Sequence, residues 1–329
     1  MTIEPSHWRC LYPQANTAAT VAITPDNRGM AYGDGFFTTM GVIDGAILWQ
    51  DYHYQRLISH AYALQLDIDS QALLATLQAY AQQLQQGLMK LVVTRAAQDI
   101  RGYGFIPDAS GSACEIWLKS SAMPITSAES VRLPDGRTVL MQPATTAVCL
   151  NAQLACLPPI LAGLKSLNRL DNVLASGELQ RIKVTESDIG EGLIRDMTGS
   201  WVEGTMSNMF YQLANEGNVV DTDKSACQQS FSSSNITTLE AVNSTHLSEN
   251  YLLNGQWFTP PLTQSGVTGV LRQVIVDGFA KTDNPVEMRV LGDKDLPTIT
   301  RLFFCNAVRG IIPITMLSLL SGDKVCFSV

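Results

Sequence analysis

A single lysine, Lys165, sits in the run Pro158-Pro159-Ile160-Leu161-Ala162-Gly163-Leu164-Lys165-Ser166-Leu167-Asn168-Arg169-Leu170. Taking an ammonium out of water favours the neutral amine, and a neutral amine can attack an aldehyde and hold it as a Schiff base. A lysine that packs its stem on apolar neighbours and keeps its head in water would do no such chemistry. Three other stretches give the lysine its context. In Glu203-Gly204-Thr205-Met206-Ser207-Asn208-Met209-Phe210 a carboxylate stands at a strand end before small residues, where it can meet a ring nitrogen and keep it protonated. In Ser265-Gly266-Val267-Thr268-Gly269-Val270-Leu271-Arg272 small and hydroxyl residues precede an apolar helix, whose free first-turn N–H groups suit a phosphate. Arg56, in His53-Tyr54-Gln55-Arg56-Leu57, can close on a phosphate as a two-pronged fork. Each stretch also has a plain structural reading: a solvated strand end, a capped helix and an exposed helix arginine.

Bulk properties narrow the partners. The 329 residues are 46% apolar and 16% charged, the balance of a globular chain. The net charge of −8, from 22 basic and 30 acidic residues, argues against nucleic-acid and anionic-membrane binding. An anionic small molecule must then be held by local arginines or by helix N-termini. Seven cysteines, an odd number without a C-x-x-C pair, predict reduced thiols and a cytoplasmic location. The N-terminus has neither a basic region nor an apolar core of a secretory leader. Ile311–Leu320 is too short to span a bilayer and contains Pro313. The four histidines lack metal-ligand spacing, so no metal is expected. His53 and His60, seven residues apart, can share a helix face and are expected in surface or capping roles.

These residues need a mixed scaffold to bring them together. Gly41–Trp49 reads as a hairpin turning on Asp44-Gly45. Helices are predicted over Tyr52–Leu66 and, capped by Ser70, over about 71–86. Met89–Thr94 and Ala113–Leu118 read as strands. Tyr32-Gly33-Asp34-Gly35 fits a tight bend where the backbone passes close to something. Beyond a polar, Ser/Pro/Gly-rich stretch come a strand at Thr138–Leu150 and a helix over Lys165–Lys183, with Leu170, Val173 and Leu174 on one side. Gly192–Arg195 and Trp201–Val202 flank a turn at Asp196-Met197-Thr198-Gly199. Strands follow at Asn208–Leu213, Trp257–Thr259, Phe303–Cys305 and Ile311–Met316, with a helix over Val270–Phe279. The fold class is α+β, with three parts: a small N-terminal α/β domain over 1–122, a connection over 123–136, and a larger domain over 137–329. Asp221–Asn254 is polar and without periodicity, as in a surface loop or a stretch with one short helix near Thr237–Val242.

The order and company of these motifs resemble one family, the fold-type IV pyridoxal-phosphate enzymes. The resemblance is carried by Asp26-Asn27-Arg28, Tyr32-Gly33-Asp34-Gly35, His53-x-x-Arg56-Leu57, Lys165-x-x-Asn168, Glu203-x-x-x-x-Asn208-x-Phe210 and Thr259-Pro260…Gly266-Val267-Thr268. It runs from about Ile23 to the C-terminal strands. It implies a two-domain homodimer with a barrel-like sheet in the larger domain, and pyridoxal 5'-phosphate between the domains. It further implies that Lys165 bears the cofactor and Glu203 faces its pyridine nitrogen, while Arg56 and the Val267 and Thr268 amides hold its phosphate. The family includes branched-chain and D-amino-acid aminotransferases and aminodeoxychorismate lyases. The segment Gly163–Leu170, with Arg169, resembles the lyase branch, as does Arg101-Gly102-Tyr103. By that resemblance Arg101 and Tyr103, with Arg169 as a second candidate, meet substrate carboxylates. Asp221–Asn254 reads as an insertion relative to the lyases.

Overall fold

The structure is a computed structural model that describes residues 8–12, 23–106, 113–127, 129–214 and 251–327. Two sheets divide these residues. The first contains β1 (Trp8–Tyr12), β2 (Gly35–Ile43), β3 (Ala46–Ile47), β4 (Gly87–Arg95) and β5 (Cys114–Ala122), in the order β1-β5-β4-β2-β3. All its pairings are antiparallel. Asp44 and Gly45 both take positive φ between β2 and β3 (51° and 73°), the conformation that a two-residue hairpin turn of this composition favours. The short helix α1 (Arg28–Tyr32) is capped by Asn27 and ends on left-handed Gly33. The helices α2 (Gln50–Ala63) and α3 (Ser70–Leu84) pack Leu57, Ala61, Leu73 and Leu77 against Phe36, Met40, Met89 and Leu91 of the sheet. The cap of α3 is Asp69, which accepts the Ala72 N–H at 2.9 Å, and not Ser70 as expected. Ser70 is instead the first helical residue.

The second sheet contains β6 (Glu129–Arg132), β7 (Thr138–Met141), β8 (Thr145–Leu154), β9 (Ile189–Asp196), β10 (Trp201–Gly204), β11 (Asn208–Leu213), β12 (Phe258–Thr259), β13 (Glu287–Met288), β14 (Ile299–Asn306), β15 (Gly310–Ser318) and β16 (Lys324–Cys326). Because β14 pairs with both β11 and β15, the strands β8-β9-β10-β11-β14-β15 close into a ring. Alternation along the strands explains how the ring is filled. Met209, Tyr211, Leu302 and Phe304 share one core with Ala147, Leu193, Trp201, Ile312 and Ile314, so every ring strand contributes to it. Their neighbours Phe210, Phe303 and Cys305 face the other way, onto Leu271, Val274 and Ile275. Helix α4 (Leu170–Thr185) covers β8 and β9 through Ala175 and Leu179, and α5 (Val270–Phe279) supplies the Leu271 face. Burial on both faces is why these strands read as unbroken apolar runs.

Several elements differ from expectation. The strand foreseen at Thr138–Leu150 is two strands, β7 and β8, separated at residues 142–144. Pro143 has no N–H to offer a ladder there. The expected connection carries β6, which pairs with β7. Helix α4 begins at Leu170, leaving Lys165 outside it, and Leu170, Val173 and Leu174 are exposed. Cys149, Cys156 and Cys305 are free thiols, whereas Cys326 is disulfide-bonded, which departs from the expected fully reduced set. No helix among the described residues is long and apolar enough to cross a membrane. Most of Asp221–Asn254 and the start of the Thr20–Thr24 strand lie outside the described residues.

Candidate active site

Lys165 lies in the segment that leads from β8 into α4, between the two sheets. Its carbonyl accepts the Phe37 N–H of β2 at 3.0 Å, and Leu167 N–H donates to the Gly35 carbonyl at 3.0 Å. Its own N–H donates to His60 Nε2 of α2 at 2.9 Å. On the other side, Gly163 bridges Val267, and the Thr268 N–H donates to the Gly163 carbonyl at 2.9 Å. The lysine amine sits 4.7 Å from the Phe37 ring centroid. Two glycines make these approaches feasible. A Cβ on Gly33 (φ +66°) would stand 2.0 Å from Asn168 Oδ1, and one on Gly266 (φ +78°) would stand 3.0 Å from Glu203 Oε2.

Glu203 closes β10 directly opposite Asn208 of β11. Its Oε2 accepts from Asn208 Nδ2 at 3.1 Å and from the Val267 N–H at 2.9 Å. Asn208 Nδ2 also donates to the Val267 carbonyl at 2.8 Å, so one side-chain amide holds the carboxylate and its neighbouring peptide together. Glu191 lies behind this wall. Its carboxylate accepts from the Gly192 and Thr205 N–H groups at 3.0 Å, from Thr205 Oγ1 at 2.5 Å and from Ser207 Oγ at 2.7 Å. It thereby pins the turn that presents Glu203. The segment before Val267 is tied down as well, since Ser265 Oγ donates to Asp196 Oδ2 at 2.8 Å.

The charges are mutually perturbed. Burial, then the nearby Arg56 guanidinium, pushes the Lys165 amine well below the usual lysine range, with Glu203 pulling the other way. Burial pushes the Glu203 carboxyl up, opposed by the Val267 N–H and by Arg169 and Lys165. Both shifts run toward the neutral forms, as desolvation requires. Arg56 is buried, with its pKa lowered to about 10 by desolvation. It donates through Nη2 to the Thr268 carbonyl at 2.6 Å and through Nη1 to Thr38 Oγ1 at 3.3 Å. Thr38 Oγ1 also lies 2.8 Å from His53 Nδ1. Helix periodicity puts His53, Arg56, Leu57 and His60 on one buried face of α2. The expectation of surface or capping histidines therefore fails, because the helix turns its polar residues inward toward the lysine segment. Burial and the cations Arg56 and Lys165 hold His53 and His60 down at about 3, with Arg169 adding to the effect on His60.

The expected site residues are thus unevenly placed. Lys165, Glu203, Arg56, Val267, Thr268 and Arg169 share one cluster. Arg169 Nη2 donates back to the Leu164 carbonyl, while its Nε is buried without a partner among the described residues. The Val267 and Thr268 N–H groups are not the free phosphate donors expected, because each is spent within the chain, on Glu203 and on Gly163. The exposed Thr268 side chain and the remaining Arg56 donors stand at that position instead. Arg101 and Tyr103 are exposed, and among the described residues no hydrogen bond joins either to the cluster. The Tyr103 carbonyl accepts from Arg28 Nη2 at 3.1 Å, and its ring lies edge-on to Tyr32. Glu191 has no motif signal in its immediate sequence context, and His60 is expected only in a surface or capping role. Phase could have found Glu191: two residues from Leu193, it takes a barrel-facing position that a carboxylate occupies only with a full set of donors.

Comparison with known proteins places the chain. The family model described as class IV aminotransferase matches residues 35–317. The 4-amino-4-deoxychorismate lyase of Pseudomonas aeruginosa superposes with a TM-score of 0.65 at 26% identity, over 94% of this chain and 91% of that one. The aminodeoxychorismate lyase of Vibrio harveyi is 20% identical over 293 residues, covering 89% of this chain and 86% of its own. A protein of Methanocaldococcus jannaschii named as a branched-chain-amino-acid aminotransferase is 23% identical over 299 residues, covering 88% of this chain and 80% of its own. The chain belongs to the class IV aminotransferase family. It is a protein of the fold-type IV class, a family of enzymes that act on small molecules with pyridoxal 5'-phosphate.

Proposed function

We propose that this chain is a pyridoxal-phosphate-dependent lyase that converts 4-amino-4-deoxychorismate to 4-aminobenzoate and pyruvate, working as a cytoplasmic homodimer toward folate. The carrying observation is Arg169. Its guanidinium folds onto the Lys165 segment and acts electrostatically on both Lys165 and Glu203, and its Nε is a buried donor without a partner. A carboxylate beside the reacting amine would satisfy that donor, and the substrate carries two carboxylates. Arg101 and Tyr103 are the proposed partners of the second. The likeness to the Pseudomonas aeruginosa lyase supports the same branch.

The cluster fits the cofactor. Glu203 is buried with an elevated pKa and no cation bonded to it, a setting that a pyridinium N–H would complete. Lys165 would hold the aldehyde carbon, and Arg56 with the Thr268 hydroxyl would hold the phosphate. When bound, the cofactor supplies an electron sink for the pair released at the carbon that bears the substrate amine. The remaining work falls to the chain. Glu203 keeps a proton on the ring nitrogen. The Lys165 amine, made less basic by burial, takes the ring C–H proton beside the substrate nitrogen. Expulsion of the enolpyruvyl oxygen then makes the ring aromatic. The Lys165 ammonium can return its proton to the departing enol methylene, which gives pyruvate.

The test is product analysis with 4-amino-4-deoxychorismate. Pyruvate and an aromatic amine should appear in equal amounts. A second reading, a D-amino-acid or branched-chain aminotransferase, is favoured by the Methanocaldococcus jannaschii relative. It predicts amino-group exchange between D-alanine or leucine and 2-oxoglutarate. Exchange without pyruvate release from the chorismate derivative would overturn the lyase reading.

A further inference from the structure

His60 is a buried residue of α2 whose ring meets the lysine segment from the small domain. Its Nε2 accepts the Lys165 N–H at 2.9 Å. An imidazole nitrogen that accepts carries no proton, so in the neutral ring the proton must sit on Nδ1. Nδ1 lies 3.2 Å from Ser59 Oγ, which can take that proton as an acceptor. Ser59 Oγ in turn donates to the Arg56 carbonyl at 3.2 Å. The Phe36 ring stands edge-on to the imidazole, with centroids 5.3 Å apart. One residue further along β2, the Phe37 N–H donates to the Lys165 carbonyl at 3.0 Å, and the Phe37 ring lies under the lysine amine. Both polar groups of the Lys165 peptide are therefore held by the small domain, although Lys165 belongs to the larger one.

We propose that His60 is a positioning residue: it fixes the peptide of Lys165 and thereby aims the lysine amine along the face of Phe37. The inference rests on the reading of Lys165 as the cofactor-bearing amine. His60 is suited to the task because it accepts and stays neutral. An imidazolium would present a second N–H to the lysine N–H, and Arg56, Lys165 and Arg169 surround the ring with positive charge. Without the acceptor, the Lys165 N–H is left buried and unpaired, and the chain can rotate the peptide to satisfy it. The amine then spends less time in the orientation from which it reaches an aldehyde.

Three measurements on the full-length protein test this. Nitrogen-15-labelled histidine in the unsubstituted protein reports the tautomer directly by NMR. The Nδ1–H form of His60 is expected, and an Nε2–H form would overturn the proposal whatever any variant does. Next, His60→Phe keeps ring volume without the acceptor, and His60→Gln restores an acceptor. After pyridoxal phosphate is added, the visible chromophore should form about tenfold more slowly in His60→Phe, the scale of one lost hydrogen bond, and recover most of that rate in His60→Gln. Equal rates in all three proteins would sink the proposal, as would a His60→Gln protein as slow as His60→Phe. Finally, borohydride reduction and peptide mass locate the label. A label on Lys165 with unchanged rates overturns only the role of His60. A label elsewhere in the unsubstituted protein overturns the lysine assignment and this inference with it.

Discussion

The two walls of the site are built in different ways. The Glu203 wall is held from within the barrel: Asn208 of the facing strand, the Val267 peptide and the Glu191 carboxylate behind the turn all belong to the larger domain. The Lys165 wall is held from outside it, by His60, Phe37 and Gly35 of the small domain. Arg56 crosses the same gap to the Thr268 carbonyl. The acid half is therefore completed by closing one sheet, and the amine half by packing one domain on another. A change in domain packing should alter the reactivity of the lysine and leave the carboxylate where it is.

The largest expected effect is at Lys165 itself. Lys165→Ala should abolish the borohydride-reducible chromophore and lower turnover by about ten-thousandfold. Covalent retention of the chromophore would refute the division of labour between the walls. Glu203→Ala comes next. Turnover should fall by about a hundredfold while cofactor retention, measured by dialysis, changes only a few-fold, because the covalent contact to Lys165 and the phosphate contacts of Arg56 and Thr268 do not pass through the carboxylate. Equal loss of both would show that the carboxylate holds the cofactor and does not tune it.

The sequence displayed the two walls unequally, for a physical reason. Glu203 and Asn208 are five residues apart and face each other across a hairpin, so their pairing is local and their spacing records it. The apolar runs at Met209–Tyr211 and Leu302–Cys305 likewise announced strands buried on both faces. The amine wall depends on contacts between residues more than a hundred positions apart, such as His60 with Lys165, and no local pattern encodes them. The polarity of the α2 histidines points to the surface, whereas their phase relative to Leu57 turns them inward. Leu170, Val173 and Leu174 suggest an inward stripe on a helix that starts at Lys165. The buried stripe is Ala175 and Leu179, and the helix begins five residues later. The sequence around Val267 suggests a free helix-start donor, but the closed barrel brings Glu203 to its amide first.

Glu191 offers a way to loosen one wall alone. Glu191→Leu keeps most of the volume but removes both acceptor oxygens, which leaves the buried Thr205 N–H and the Thr205 and Ser207 hydroxyls without the acceptor they share. A loss of about 1–3 kcal/mol is expected for such unpaired buried donors, measurable in urea. The His53 and His60 resonances should stay in place while Glu203-dependent turnover drops. If the His53 signal moves as far as it does in His60→Gln, the two walls are not independent.

The smallest effect is one of pH, and it probes the small-domain side. His53 and His60 are held at about 3 in the folded protein, against 6.5 for a free histidine. The unfolded chain therefore binds more protons than the folded one between those values, and stability rises with pH across that window. The contribution is complete above about 6.5 and is lost progressively as pH falls toward about 3. At about pH 6 only a fraction of a kcal/mol per histidine is at stake, growing by up to about 1.4 kcal/mol per histidine for each further unit of acid. Urea titrations between about pH 5 and 7 should show the unfolding free energy falling toward acid, with a shallower slope in His60→Gln. A slope unchanged by that substitution would mean that the His60 ring protonates in the folded protein as readily as in the unfolded one. It could not then remain an acceptor for the Lys165 peptide, and from the small domain β2 alone would hold that segment.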